Sequence, residues 1–437
     1  MAPTNKARAP LAVVLSAHGI SLTGNAMTYL AVPWFVLDTT GDPTLTGIAA
    51  AASFLPIILS MAFGGVLVDR IGHRTASVLA DGVSAVMIGL IPLLHVLDAL
   101  SFPLLLILVF LGALFDAPGN AAKHALIPTL ADRAGIRIER AASALDVVER
   151  CARMVGAPLA GGLIALVGPV NVLIIDAATF VVSALLMLTA RVVHQSTDTS
   201  RTSYVQGLRA GFTFLWRDPL LRSIALLLAF TNLLDVAYSA VIIPVYADRV
   251  LSGAASAGLL LGTAATAAVV GGITFGAVLH RMPRWPVFVI AFTLIGLPRC
   301  IAFALEPGMA LLLLVVAATG FCAGMMNPIL SVAQFTRIPE QLRARTLGAV
   351  STGAYALVAV GPVIGGGLIA AAGLDRTLII LAIAYAVAAS SVIFFPVWRG
   401  IGKPAGPEND PESTTPAPVH SDEAAGSGES RATTGDR

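Results

Sequence analysis

Four polar side chains stand inside long apolar stretches of this sequence and are the first places to look for chemistry: Asn25, Asp116, Asp235 and Asn327. A carboxylate held among apolar residues is costly to keep charged, which makes Asp116 and Asp235 candidates to take up a proton or a cation. The bland alternative is a hydrogen-bonded carboxylate that only ties neighbouring segments together. A further group, Asp146, Glu149, Arg150 and Arg153, is spaced i, i+3, i+4 and i+7, on one face of a helix. At a helical rise of about 1.5 Å per residue, Asp116 and Arg153 fall at about the same depth. An Asp116–Arg153 pair is one expectation, and a Glu149–Arg153 pair within the helix is the other. Arg299 has no evident partner. Asp176 starts its run near one end, where capping or snorkelling would suit it, and Lys123 and His124 are expected to reach the interface. Asn120 and Asn232 could serve substrate polarity or packing.

The elements that must hold these residues are helices in a bilayer. Only 12% of the 437 residues are charged, 57% are hydrophobic and the mean hydropathy is +0.85, whereas soluble domains carry about 25% charged residues. Disorder, collagen and coiled coil are excluded on the same grounds, and a net charge of +2 gives no support to a nucleic-acid partner. Cys151, Cys300 and Cys322 offer neither a disulfide framework nor a CxxC metal site. HExxH, GxSxG and GxxxxGK[ST] are absent, so the expectation is no enzyme, no metal and no cofactor.

Twelve runs are long enough to span a bilayer: roughly 11–37, 44–68, 75–97, 103–125, 143–167, 171–190, 221–246, 254–279, 285–305, 309–333, 346–373 and 376–397. They lack the period-2 alternation of barrel strands, which leaves helices. The first is too long for a cleaved signal peptide. With both termini cytoplasmic, 19 of the 27 Lys and Arg face the cytoplasm, two more sit in the tail, and only Arg249 and Arg376 fall outside. The expected topology therefore has twelve spans and both ends inside. The domain expectation is a six-helix bundle over 1–193, a cytoplasmic connection over 194–220, a second bundle over 221–398 and a disordered tail over 399–437. Within the connection, 204–217 could form an interfacial helix or a plain linker.

The two bundles repeat. With an offset of 205, Val155–Gly168 aligns with Val360–Gly373 at eight identical positions of fourteen, among them Gly156, Gly161 and Gly162 on Gly361, Gly366 and Gly367. With an offset of 211, Gly65 and Arg70 fall on Gly276 and Arg281. A duplicated six-span unit in parallel orientation is a plan that places a substrate site near the midplane between the halves.

Between spans 2 and 3 stands Gly65-Val66-Leu67-Val68-Asp69-Arg70-Ile71-Gly72-His73-Arg74. Gly65 permits close helix approach, Gly72 a sharp turn, Asp69 a bond to a helix N-terminus, and Arg70 and Arg74 ion pairs. This segment resembles the signature loop of the major facilitator superfamily, with His73 where Arg or Lys is common. Span 11 carries Gly361-Pro362-Val363-Ile364-Gly365-Gly366, and span 5 a displaced version, Gly156-Ala157-Pro158-Leu159-Ala160-Gly161-Gly162, similar to the helix-packing motif of the family's exporters. Ile175–Phe180, Gly207-Leu208-Arg209 and Trp216-Arg217-Asp218-Pro219 resemble the drug, macrolide and siderophore efflux branch.

The resemblance implies an all-α membrane protein with two pseudo-symmetric six-helix bundles and a cavity lined by spans 1, 4, 7 and 10. On these spans Asp116 pairs by symmetry with Asn327, and Asn25 with Asp235. It further implies a monomeric cell-membrane protein that exports a small-molecule substrate against protons, with the Gly65–Arg74 loop latching the cytoplasmic side. Span 4 lacks the intramembrane Arg of many proton-coupled members. An importing symporter shares the same fold, and a non-transporting receptor is the rival from another class.

Overall fold

A computed structural model describes residues 5–190, 201–277 and 282–401; the side chains at 5–7, 57, 61–67, 69, 70, 201–208 and 344 lie outside this description. Among the described residues there is no strand. The first six spans are α1 (Asn5–Thr40), α2 (Pro43–Ile71), α3 (His73–Val96), α4 (Phe102–Arg133), α5 (Ile138–Val167) and α6 (Pro169–Thr189). The connection forms α7 (Arg201–Arg217). Span 7 is built from α8 (Pro219–Ala237), a π turn (Tyr238–Ile242) and α9 (Ile243–Arg249). Then come α10 (Ala254–Ala277), α11 (Arg284–Ala304) and α12 (Met309–Arg337). Span 11 is divided into α13 (Arg343–Tyr355) and α14 (Val360–Ala372), and α15 (Leu374–Phe394) completes the set. Twelve of these stretches are long and apolar enough to cross a membrane.

Local chemistry sets the turns. α1 stops at Gly41 (φ +65°), and Asp42 caps α2 by accepting from the Thr44 amide at 2.7 Å, with Pro43 in the first turn, where its missing N–H costs nothing. Gly168 and Gly373 take the same left-handed conformation, φ +83° and +84°, at equivalent turns of the two halves. Several helices outrun the apolar stretches that announce them. α4 continues to Arg133 and α5 begins at Ile138, because Ala, Leu, Glu and Arg favour helix whether or not lipid surrounds them.

Within the N-terminal half, α1 packs on α5 and α6, α3 on α4 and α6, and α2 on α4. In the C-terminal half, α10 packs on α12, α11 on α12 and α15, and α8 on α13 and α14. α7 packs against α13 and α8 rather than standing alone, with Leu215 buried and Gly211 under the Arg345 carbonyl. Leu185 and Leu188 on α6, and Ile383 and Val387 on α15, point outward at helical spacing as a lipid-facing surface.

The halves meet along two seams, α5 on α10 and α2 on α14. Both are made of backbone and small residues, which allow close approach. A Cβ on Gly161 would stand 2.7 Å from the Gly258 Cα, and the Pro158 ring lies against Gly262. At the other seam Gly366 faces the Pro43 carbonyl and Gly47 the Pro362 carbonyl. Gly156 rests on Ala26, Gly361 on the Leu233 carbonyl, and Gly365 on Ala237, all within their own halves. Gly162 was expected in this packing but has nothing within 4 Å of its Cβ position, because the helix turns that side away from its neighbours.

The core differs between the two ends of the bundle. On the side of the Gly41 turn, one cluster of buried residues draws on both halves, from Trp34, Phe35 and Leu37 to Val241–Ala247, Leu260 and Phe303. On the side of the Gly72 turn the clusters separate. One comes from the C-terminal half, around Leu221, Phe288 and Trp398. Two come from the N-terminal half, around Leu126, Leu130 and Met187, and around Val68, Ala76 and Ala122.

Candidate functional site

In the C-terminal half, Asp235 lies near the middle of the 31-residue span Pro219–Arg249, one turn before the π turn. π turns inside α-helices concentrate at functional positions. The Asp235 Oδ1 accepts from Arg299 Nη2 at 2.8 Å and from the Tyr385 hydroxyl at 2.6 Å. Arg299 Nη2 also donates to the Tyr385 oxygen at 2.7 Å, and its guanidinium lies 3.9 Å from the centre of the Tyr238 ring. Three helices thus place one carboxylate, one guanidinium and two phenols together. Gly296, one turn before Arg299, gives the Tyr385 ring its room, since any Cβ there would collide with it. Arg299 therefore has a partner after all. Asp235 and Tyr385 stand 64 and 86 positions away, a separation that spacing along one helix cannot register. The Asp235 side chain is 42% exposed and that of Arg299 13%. Such a pair neutralises itself in a membrane while leaving its acid accessible.

The N-terminal half handles its charges differently. Lys123 Nζ is 2.9 Å from Asp81 Oδ1 and 3.1 Å from Ser183 Oγ, and Ser183 donates to Asp81 Oδ2 at 2.7 Å. The side chains of Lys123 and Asp81 are 1% and 4% exposed. Lys123 was expected at the interface; instead α3 and α6 supply a complete set of partners that makes burial the better solution. Asp116, two turns from Lys123 on α4, accepts from Ser84 Oγ at 3.0 Å, and Ser84 also reaches the Gly112 carbonyl at 2.9 Å. Asp176 is fully buried, bonded by Thr28 of α1 and, at 3.1 Å, by Thr179. It neither caps nor snorkels, because α6 begins at Pro169 and carries it two turns inward. Gly24 opens the space on α1 that Asp176 enters.

Of the other expected residues, Asn25 is half-buried on α1 and Asn327 exposed on α12, and neither enters the two ion pairs. Asn120 is half-buried on α4, and Asn232 donates to the Ala354 carbonyl at 3.0 Å, joining α8 to α13. Arg153 pairs with Glu149 at 3.4 Å and is 58% exposed; the Asp116–Arg153 pair does not form, because Asp116 turns toward α3. In the Gly65–Arg74 loop, Gly72 makes the turn at φ +84°. Arg74 donates to the Met187 carbonyl at 3.2 Å and to that of Leu188, capping the end of α6. Gly65 lies within α2, while the side chains of Asp69 and Arg70, and residues 278–281 of the second-half counterpart, lie outside the described residues.

Sequence reasoning missed Asp81 and Tyr385 altogether. A signal for the first existed, since Asp81 and Ser84 are i, i+3 on α3 while Asp116 and Lys123 are i, i+7 on α4, so two polar ladders could face each other. Chemically, the sealed Lys123–Asp81 pair can only hold helices. Asp235, by contrast, is tied through one oxygen and keeps its side chain partly exposed.

The model of a family described as transmembrane secretion effector matches residues 3–418. The chain is 28% identical over 403 residues to the multidrug efflux pump Tap of Mycolicibacterium fortuitum, covering 91% of this chain and 98% of that protein. It is likewise 28% identical over 375 residues to the enterobactin exporter EntS of Shigella boydii serotype 4 (strain Sb227), covering 83% and 85%. Among solved structures, the nucleoside transporter NupG is similar with a TM-score of 0.70 at 13% identity, over 89% of this chain and 98% of that one. A bacterial homolog of the human lysosomal transporter Spinster, in an inward-facing and unoccupied conformation, gives 0.68 at 17% identity, over 92% and 100%. At these identities the two structures speak for the fold alone.

Proposed function

Because the chain belongs to the transmembrane secretion effector family, within the major facilitator superfamily, we propose that it is a proton-driven exporter of small amphipathic molecules across the cell membrane. That it is a multi-pass membrane transporter and not an enzyme follows from the family; direction, driving ion and substrate class are the proposal. The near full-length likeness to efflux proteins for drugs and for a siderophore supports export.

The observation that carries the mechanism is the divided core. On the Gly41 side the halves share one cluster, and on the Gly72 side each keeps its own. The excess of Lys and Arg supports a cytoplasmic location for the Gly72 side and for both termini. The arrangement then reads as an inward-facing state, closed outside by the α5–α10 and α2–α14 seams. Bodies 1–193 and 221–398 rock against each other as a monomer, joined by 194–220. The tail expected from 399 begins later, because Arg399 lies over the Trp285 ring and Ile401 is buried in the C-terminal core, and 402–437 lie outside the described residues. Asp235 serves as the coupling group: its carboxylate holds either Arg299 or a proton, so protonation frees a cation in the wall of the substrate path. Asp116 is a second proton site, and Asn25 and Asn327 offer polar contacts to the substrate.

Everted membrane vesicles with a preset pH gradient provide the test, using macrolides, dyes and siderophores as substrates. A transported compound should release the gradient, and Asp235→Asn should abolish that release while leaving the protein folded. Normal release by both Asp235→Asn and Asp116→Asn would refute the coupling assignment. Uptake with the gradient in whole cells would replace export by symport.

A further inference from the structure

Away from the two ion pairs, three metal-ligating side chains from three helices converge on the Gly72 half of the N-terminal bundle. His18 of α1, His124 of α4 and Glu149 of α5 bring their ligand atoms within 4.8 Å of one another. The His124 Nε2 lies 2.8 Å from Glu149 Oε1, the His18 Nε2 lies 3.3 Å from the same oxygen, and the two Nε2 atoms are 3.3 Å apart. These distances are informative. For a tetrahedral ion bound at about 2.05 Å, neighbouring ligand atoms stand about 3.3 Å apart. Two of the three observed separations match an edge of such a tetrahedron, and the third, the 2.8 Å hydrogen-bond distance from His124 to Glu149, has to open by about 0.5 Å to admit the ion.

The surroundings agree. His18 is 1% exposed, and its Nδ1 has no hydrogen-bond partner, so its only polar contacts are those of Nε2 within the cluster. Arg153 takes the other Glu149 oxygen, Oε2, at 3.4 Å and leaves Oε1 to the histidines. Lys123, beside His124 in sequence, is held away by Asp81 and Ser183. His124 is 45% exposed, which supplies an entry path and room for a water as fourth ligand. The geometry points to a binding site for a divalent transition-metal ion, zinc being the natural occupant of a two-histidine, one-carboxylate set. It would clasp α1, α4 and α5 together, and it stands independently of the export reading.

The full chain, purified in detergent with any affinity tag removed, is equilibrated with Zn2+ and separately with Co2+. One Zn2+ should bind per chain, and Co2+ should give the intense visible absorption of a tetrahedral centre. His124→Ala and Glu149→Gln should each lower Zn2+ affinity by at least about tenfold and erase the Co2+ band. His18→Ala should do the same, and the half-exposed His124 keeps the test open if the buried variant fails to fold. Arg153→Ala, which leaves all three ligands in place, should retain the ion. Zn2+ binding unchanged in His124→Ala and Glu149→Gln, or a Co2+ spectrum of the weak octahedral type in the unmodified chain, would overturn the site.

Discussion

Each half of this molecule keeps an acid–base pair inside its membrane-spanning helices, and the two pairs are built to opposite plans. Lys123 and Asp81 are sealed on all sides, with Ser183 completing the bonds of both. Asp235 and Arg299 are joined through a single carboxylate oxygen and share a phenol, and the acid remains 42% exposed. A buried pair cannot release one member without stranding the other, so the first can only be structural. The second pair is open at its acid, which is the ground for proposing it as the working one. The duplication therefore supplies two scaffolds of the same shape, one braced and one left adjustable.

The largest effect should come from breaking the braced pair. Lys123→Ala leaves Asp81 buried without its cation, and should cost about 3–5 kcal/mol, read as a lowered unfolding midpoint and poor yield. Asp81→Leu combined with Lys123→Met should recover most of that loss. An unchanged midpoint in Lys123→Ala would erase the contrast between the halves. Arg299→Ala should come next. It leaves Asp235 partly exposed to water, so the loss should stay at about 2 kcal/mol or less, while gradient release in vesicles disappears. A collapse as severe as that of Lys123→Ala would make both centres structural. Tyr385→Phe removes only the phenol oxygen from the open centre and should cost about 1 kcal/mol, with gradient release slowed but present. Arg153→Ala lies outside both centres, and its exposed i, i+4 pair with Glu149 should be worth no more than about 0.5 kcal/mol in the unfolding midpoint.

Hydropathy and charge bias made the twelve helices and their duplication legible, because bilayer thickness fixes span length and paired glycines mark the seams. The polar centres were legible only in part. Asp235 stood out as an acid in an apolar run, yet its partner did not, since Arg299 and Tyr385 come from helices whose rotation no local pattern sets. Lys123 was misplaced for the same reason: a lysine near a helix end ordinarily snorkels, and only Asp81 and Ser183 arriving from α3 and α6 make burial cheaper. The His18, His124 and Glu149 convergence leaves no sequence signature, because each ligand comes from a different helix. Gly162 reads like its neighbour Gly161, and one residue of helical rotation separates a seam from open space.

The seams carry one more consequence. Under the internal repeat, span 5 corresponds to span 11 and span 2 to span 8, so the α5–α10 and α14–α2 contacts are one contact made twice. That is the isologous interface of a two-fold dimer, here closed within a single polypeptide. A free six-helix unit presenting this surface would find its complement in a second copy of itself. Within one chain the two copies need not stay alike, and the unequal charge pairs of the halves show that they do not.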